Sequence, residues 1–245
     1  VVENRSDEQA EPGKHQERAN RILEAASELL QRWGYKKTTI DDIARQAGVA
    51  KGTIYLHWKT KEDLFMALIM REKVVALQQA RQAMENEPGG ITLYSMVKHS
   101  MLWALRNPLI KAIMLRDTDV LGDLIHTQLN QANLHQQLED FNTYLLYMQQ
   151  QGLIRKDIPI KTQVYMLEAI ALGFLMSDRF MPDEYQISLE ERAAMAAEAV
   201  RRTFEIRHPD DAEKRESSNR FNQLMNTAEE YLQKETGNER PDSSQ

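Results

Sequence analysis

Apolar residues recur along nearly the whole chain at three- and four-residue spacing, the period of a helix with one face in a core. Ala19, Ile22, Leu23, Ala26, Leu29, Leu30 and Trp33 form one such stripe over about residues 16–33, and Gly34 is placed to stop it. Ile40, Ile43, Ala44 and Ala47 form a shorter stripe ending at Gly48, and Ile54 and Trp58, four apart, a third. Thr39 with Asp42, and Thr60 with Asp63, have the spacing of reciprocal helix caps. Residues 39–61 therefore read as two short helices around a glycine turn, the helix-turn-helix pattern.

The rest of the chain predicts helices only. A fourth helix starts after Thr60 and runs through Leu64, Phe65, Leu68, Ile69 and Val75 to about Asn86, before Pro88-Gly89-Gly90. At 1.5 Å per residue it is roughly 37 Å long, a natural lever between two domains. Residues 91–107 are apolar over more than one stripe, as expected of a central helix. Pro108 permits a new start, and Asp117 to Asp119 are expected to break the segment before residues 120–125. A helix over residues 129–151 closes at Gly152. Residues 160–180 are apolar nearly all round with small residues at Ala169, Ala171 and Gly173, and residues 188–206 are rich in alanine. Beyond Pro209 charge rises, and Phe221, Leu224, Met225, Ala228 and Leu232 predict one further helix. Residues 1–13 lack periodicity, contain Pro12-Gly13, and read as a mobile arm.

With Ile54 and Trp58 inward, the third helix presents Lys51, Gly52, Thr53, Tyr55 and His57 outward: cationic, very small, hydroxyl, phenol and imidazole groups suited to a DNA groove. The spacing of Thr39, Ile43-Ala44, Ala47-Gly48-Val49, Tyr55, Trp58, Lys61 and Leu64 resembles the DNA-binding domain of the TetR family of bacterial transcriptional regulators, over roughly residues 16–66. The resemblance implies an all-α fold: an N-terminal three-helix helix-turn-helix DNA-binding domain joined by a long helix to a helical ligand-binding and dimerisation bundle. The corresponding division is 1–13 arm, 14–61 DNA-binding domain, 62–208 effector-binding and dimerisation domain, and 209–245 charged extension. It also implies Lys51 and Thr53 as base readers, Gly52 as a point of close backbone approach, and Tyr55, Leu56 and His57 as contacts to backbone or thymine methyls. Thr38, Thr39, Lys59 and Lys61 would hold phosphates, with Lys36 and Lys37 adding charge before the second helix and Lys14, His15, Arg18 and Arg21 near the arm.

The formal net charge of -6 at first opposes a nucleic-acid partner, yet residues 14–61 hold ten Lys and Arg against five Asp and Glu, a balance of +5. That asymmetry suits one basic face on phosphates and a body that repels DNA. No cysteine is present, which excludes disulfides, thiolate metal sites and cysteine nucleophiles. No apolar run approaches the ~18 residues of a membrane span, and the N-terminal stretch is polar and acidic, so a cytoplasmic protein with no membrane partner is expected. No GxSxG, glycine-rich phosphate loop or HExxH occurs, and the six histidines lack ligand spacing, which argues against an enzyme, a catalytic residue, a metal or a cofactor.

Methionine and aromatic side chains crowd the body: Met66, Met70, Met96, Met101, Trp103, Met114, Phe141, Tyr144, Met148, Met166 and Phe174. For any one of them core filling is the simpler reading. Together, and given the resemblance, they are candidates to line a pocket for a small apolar or cationic effector. Glu168, a carboxylate within an apolar helix, either pairs with an arginine such as Arg179 across an interface or meets a cationic ligand. The helices around 160–180 and 188–206 are candidates for a homodimer interface. The expected function is a dimeric repressor that binds a palindromic operator and is released by an effector; the alternative is a DNA-binding dimer controlled by a protein partner or by no ligand.

Overall fold

The computed structural model describes residues 10–87, 89–124 and 131–237. Among them the only strand-like feature is one antiparallel bridge, Ile154 with Glu205, and the fold is all-α. The chain forms two compact units: residues 1–71 with 116–128, and residues 72–115 with 129–245.

The first unit contains α1 (Ala10–Lys37), α2 (Ile40–Ala47), α3 (Lys51–His57), the first part of α4 (Lys61–Glu85), and α7 (Thr118–Leu121). Ile22, Ala26, Leu30, Ile43, Ile54, Leu64, Phe65 and Leu68 are buried in its core, the positions the helical spacing marks as inward. Both caps read from the sequence form: Thr39 Oγ1 accepts from the Asp42 amide at 3.2 Å, and Thr60 Oγ1 accepts from the Asp63 amide at 3.0 Å. Gly48 ends α2 in the left-handed conformation (φ 65°), its amide donating to the carbonyls of Ala44 and Arg45.

Several boundaries differ from the sequence reading. α1 begins at Ala10, so Pro12 and Gly13 lie inside its first turns, where a helix lacks partners for its amides and tolerates proline. Residues 1–9 of the expected arm lie outside the described residues. Gly34 breaks the helix where expected, at φ 75° and ψ 167°, but a further turn follows it to Lys37. A β-carbon there would stand 2.5 Å from the Asp119 carbonyl oxygen, so contact with α7 as well as conformation requires glycine. Asp117 starts α7 rather than breaking a helix: its carboxylate caps the amides of Asp119 and Val120. Trp58 is not part of a buried seam; it is the half-buried residue at which α3 ends.

The second unit consists of the remainder of α4, α5 (Leu93–Arg106), α6 (Pro108–Met114), α8 (Gln131–Gln150), α9 (Ile160–Met176), α10 (Leu189–Phe204) and α11 (Asp211–Gly237). Its core includes Val97, Met101, Ala104, Leu145, Met148, Ala193, Ala196, Ala197, Val200 and Phe204. α5 lies along α10, where alanines let the two backbones come close. Buried Arg192 of α10 pairs with Asp178, which also accepts from Lys111 Nζ at 3.0 Å. Burial and the neighbouring Arg192 and Arg179 guanidiniums hold the Lys111 ammonium below its usual pKa. α11 is the helix expected beyond Pro209; it packs on α8 through the fully buried Phe221.

Candidate nucleic-acid interface

α3 is seven residues long and buries one side chain, Ile54. With so little anchoring of its own, it is fixed by Ile54 and by the capped, buried α2 beside it. Its remaining surface is left to solvent. Leu56 is 78% exposed and Tyr55 47% exposed, large apolar groups with no packing role within the chain. Lys51 and Gly52 are exposed and Thr53 half-buried on the same short helix. A β-carbon at Gly52 would meet no atom within 4 Å, so the chain's own packing gives no reason for glycine at this position.

The charged groups around α3 are more constrained than their spacing suggests. Lys51 Nζ donates to Asp41 at 2.8 Å, an exposed pair that a phosphate or base edge can replace at small cost. His57 stacks on His15 at 4.0 Å between ring centroids and lies 5.2 Å from Trp58. Burial first, then His15 and Arg18, holds its imidazole below the usual pKa, favouring the neutral ring. His15, near the start of α1, therefore adjoins the end of α3.

Three expected phosphate contacts are otherwise occupied. Thr38 is fully buried, and its hydroxyl donates toward the carbonyl oxygens of Gly34 at 2.9 Å and Leu29 at 3.2 Å. It is a structural strut across the kink. Lys61 Nζ donates to the Tyr35 carbonyl oxygen at 2.6 Å and lies 4.1 Å from the Tyr35 ring centroid; burial holds its pKa down. It fastens the start of α4 to the turn after α1. At the α2 N-terminus the Asp42 carboxylate already accepts from the Thr39 amide at 3.3 Å and hydroxyl at 2.6 Å, and lies against Arg45. These bonds, the Thr39 hydroxyl foremost, keep the carboxyl below its usual range. A negative cap there leaves less for a phosphate than a bare helix end would. Thr39, Lys36, Lys37 and Lys59 are exposed.

Residues 22–68 match the family model described as bacterial regulatory proteins, tetR family. That stretch holds α2, α3 and the start of α4, and the match places a tetR-type DNA-binding domain there. Among curated relatives, the uncharacterized HTH-type transcriptional regulator YhgD of Bacillus subtilis (strain 168) is 44% identical over 69 residues, 28% of this chain and 36% of its own length. That match spans little more than a third of the relative and is confined to a similar length here. The HTH-type transcriptional regulator AcrR of Shigella flexneri is 24% identical over 187 residues, covering 74% of this chain and 87% of AcrR. Of solved structures, the transcriptional regulator FadR from Bacillus subtilis in complex with stearoyl-CoA aligns with a TM-score of 0.58 at 18% identity, covering 74% of this chain and 96% of FadR. The likeness to FadR is one of fold. The matched stretch thus carries a tetR-type DNA-binding domain, with α2 and α3 as its helix-turn-helix.

In the second unit the methionine and aromatic candidates separate into groups. Met96, Met101, Met114 and Phe141 line a cavity of about 220 Å³ with Glu168. Trp103, Met114 and Phe141 line a neighbouring one of about 410 Å³. Phe174 lines a third site, between α9 and α10, and Met166 packs against the core. Tyr144 and Met148 are filled core positions, Tyr144 lying edge-on to Phe221 at 6.4 Å. Met66 and Met70 belong to the first unit. Glu168 is not enclosed in its helix as the sequence suggested: it is exposed on α9 at the smaller cavity, where the apolar surroundings raise its pKa. Among the described residues no cluster of His, Cys, Asp and Glu is arranged to hold a metal, and no helix is long and apolar enough to cross a membrane.

Proposed function

We propose that this chain is a cytoplasmic, non-enzymatic repressor that binds a palindromic operator as a homodimer and is released by a small, largely apolar effector held in the second unit. The observation that carries the reading is α3, which exposes Tyr55 and Leu56 beside an unfilled Gly52 and an exchangeable Lys51–Asp41 pair. Such a helix has the chemistry to read a major groove: Lys51 and Thr53 at base edges, Tyr55 and Leu56 at thymine methyls and sugar-phosphate. Lys59 and the lysines before α2 complete the contact to phosphate.

Homodimerisation is supported by the apolar groups that a single chain leaves in water. Tyr165 is 77% exposed and Phe180 73% exposed, and Met181, Tyr185 and Met195 are exposed beside the exposed Ala169 and Gly173. This surface falls on α9, α10 and the segment that joins them, and the small residues of the two helices favour close approach. Two copies joined there would present two recognition helices to half-sites one turn apart, ~34 to 36 Å.

α4 runs unbroken from Lys61 to Glu85 and holds residues of both units. An effector that binds between α4 and its neighbours in the second unit shifts the population toward a dimer whose recognition helices no longer match the half-sites. A preference of about 2.8 kcal/mol for that state would weaken operator binding about a hundredfold. The test is titration of the dimer on the DNA upstream of its own gene, repeated with a panel of apolar and cationic compounds. Specific binding relieved by a compound supports the proposal; specific binding indifferent to every compound favours control by a protein partner.

A further inference from the structure

We propose that the stacked His15–His57 pair couples DNA binding to proton uptake, so that the protein holds DNA more tightly as pH falls from about 8 to about 6. The inference rests on reading α3 as the element that meets DNA, and it adds a regulation of that contact by pH.

His15 and His57 are the histidines of residues 10–71, and the fold brings them together from α1 and the end of α3. Their ring centroids are 4.0 Å apart with the planes tilted by 39°, and the His57 ring also lies 5.2 Å from that of Trp58. His15 is exposed and His57 half-buried, directly after the exposed Tyr55 and Leu56. Two imidazoles this close cannot both carry a proton without repelling each other.

The charges around the pair have one sign. Arg18, one turn along α1 from His15, acts with it on the His57 ring; burial and these two basic neighbours hold the His57 imidazole below its usual pKa. Lys14 and Lys59, exposed and close in sequence to the pair, add the same sign. The carboxylates of α2, the helix packed on α3, are turned to other partners: Asp41 accepts from Lys51 Nζ, and Asp42 from Thr39 and Arg45. Glu17 is two residues from His15, a spacing that points it to another side of α1. Among the described residues no carboxylate acts on the His57 ring. The free protein thus holds a basic cluster without a compensating anion at the edge of its recognition helix.

A DNA backbone supplies that anion. A phosphate at this edge accepts an N–H bond from a protonated imidazole and offsets the repulsion among His15, His57 and Arg18. The bound state then holds the proton more firmly than the free state. The gain in affinity is full below the pH at which the free pair titrates, and it is lost as pH rises through the higher value of the bound state. One linked proton changes affinity by up to about tenfold per pH unit within that window. Phosphate contact carries no sequence information, so the link acts on any duplex the protein binds.

The experiment titrates the full chain on the DNA upstream of its gene and on an unrelated duplex of equal length, by fluorescence anisotropy at one ionic strength, over about pH 6 to 8. Wild-type affinity for both duplexes should fall by about 5- to 50-fold across that range. His57→Gln and His15→Gln cannot titrate, and each should cut the dependence by at least half, because the pair takes up its proton as a unit. Two variants on different helices keep the test usable if one fails to fold by circular dichroism. His208→Gln, at an exposed position of the second unit, should leave the dependence unchanged. Wild-type affinity that does not change with pH, or folded His15 and His57 variants that keep the full dependence, would overturn the proton link, while preference for the upstream DNA would leave the reading of α3 standing. Equal, pH-dependent binding of both duplexes that is lost in the histidine variants supports the link and counts against operator recognition, so the two readings fail separately.

Discussion

Replacing Gly52 by alanine separates the demands of the fold from those of DNA. Gly52 is the second residue of α3, and a β-carbon there meets nothing within 4 Å in the chain. Alanine is preferred to glycine in a helix by ~0.8 to 1 kcal/mol in the interior, somewhat less near an end, so Gly52→Ala should raise stability by about 0.5 kcal/mol. For a chain of this size that raises the thermal midpoint by about 1 to 2 °C. If the α3 backbone comes against the DNA at this point, the added methyl is an overpacked group worth about 1 to 3 kcal/mol, a loss of operator affinity of about 5- to 150-fold. Thermal unfolding by circular dichroism and operator titration by fluorescence anisotropy read the two effects independently. A variant with raised or unchanged stability and wild-type affinity would refute close backbone approach at Gly52.

Thr38→Val should lower stability by about 1 to 3 kcal/mol in denaturant unfolding, because the buried Leu29 and Gly34 carbonyls lose a donor, while operator affinity of the folded protein is unchanged. Normal stability with weakened DNA binding would return Thr38 to the DNA surface. Glu168 has a folded-state pKa raised by the apolar surroundings of the cavity, so its ionisation opposes folding: stability is lost as pH rises from the usual glutamate range through the raised value. Glu168→Gln should therefore raise the thermal midpoint at pH 7 and have little effect at pH 4; an equal effect at both values would contradict the assignment. Met195→Arg places a charge on the exposed apolar face of α10 and should shift sedimentation from dimer toward monomer, with apparent operator affinity falling as half-sites are read singly. An unchanged dimer would place the interface elsewhere.

The helix-turn-helix was legible because its information is local. Thr39 and Asp42, Thr60 and Asp63, and Gly48 each act within one helical turn, and each cap forms as its spacing predicts. The partners of the charged side chains were not legible. Lys51 meets Asp41 ten residues away, and Lys61 meets the carbonyl of Tyr35, 26 residues away, across a turn whose geometry no single spacing encodes. Thr38 and Thr39 are adjacent hydroxyls with opposite fates, one a buried strut and one an exposed cap, decided by the Gly34 kink. In the body, helical spacing separates inward from outward but does not tell a filled core from a cavity. Tyr144 and Phe141 lie three residues apart on α8; Tyr144 is buried against Phe221 of α11, while Phe141 lines open space. The apolar positions of α11 were readable as a helix, but the alanines on α4 that leave room beside it matter only once the two helices face each other.

The most direct test of the account is salt-dependent titration of the wild type and Tyr55→Ala on the DNA upstream of the gene, with unrelated DNA of equal length as competitor. The account predicts specific, salt-sensitive binding by the wild type, and a loss of about 1 to 3 kcal/mol in Tyr55→Ala with fold and dimer intact. Equal affinity of the two proteins for the specific site would contradict the assignment of α3 as the reading element.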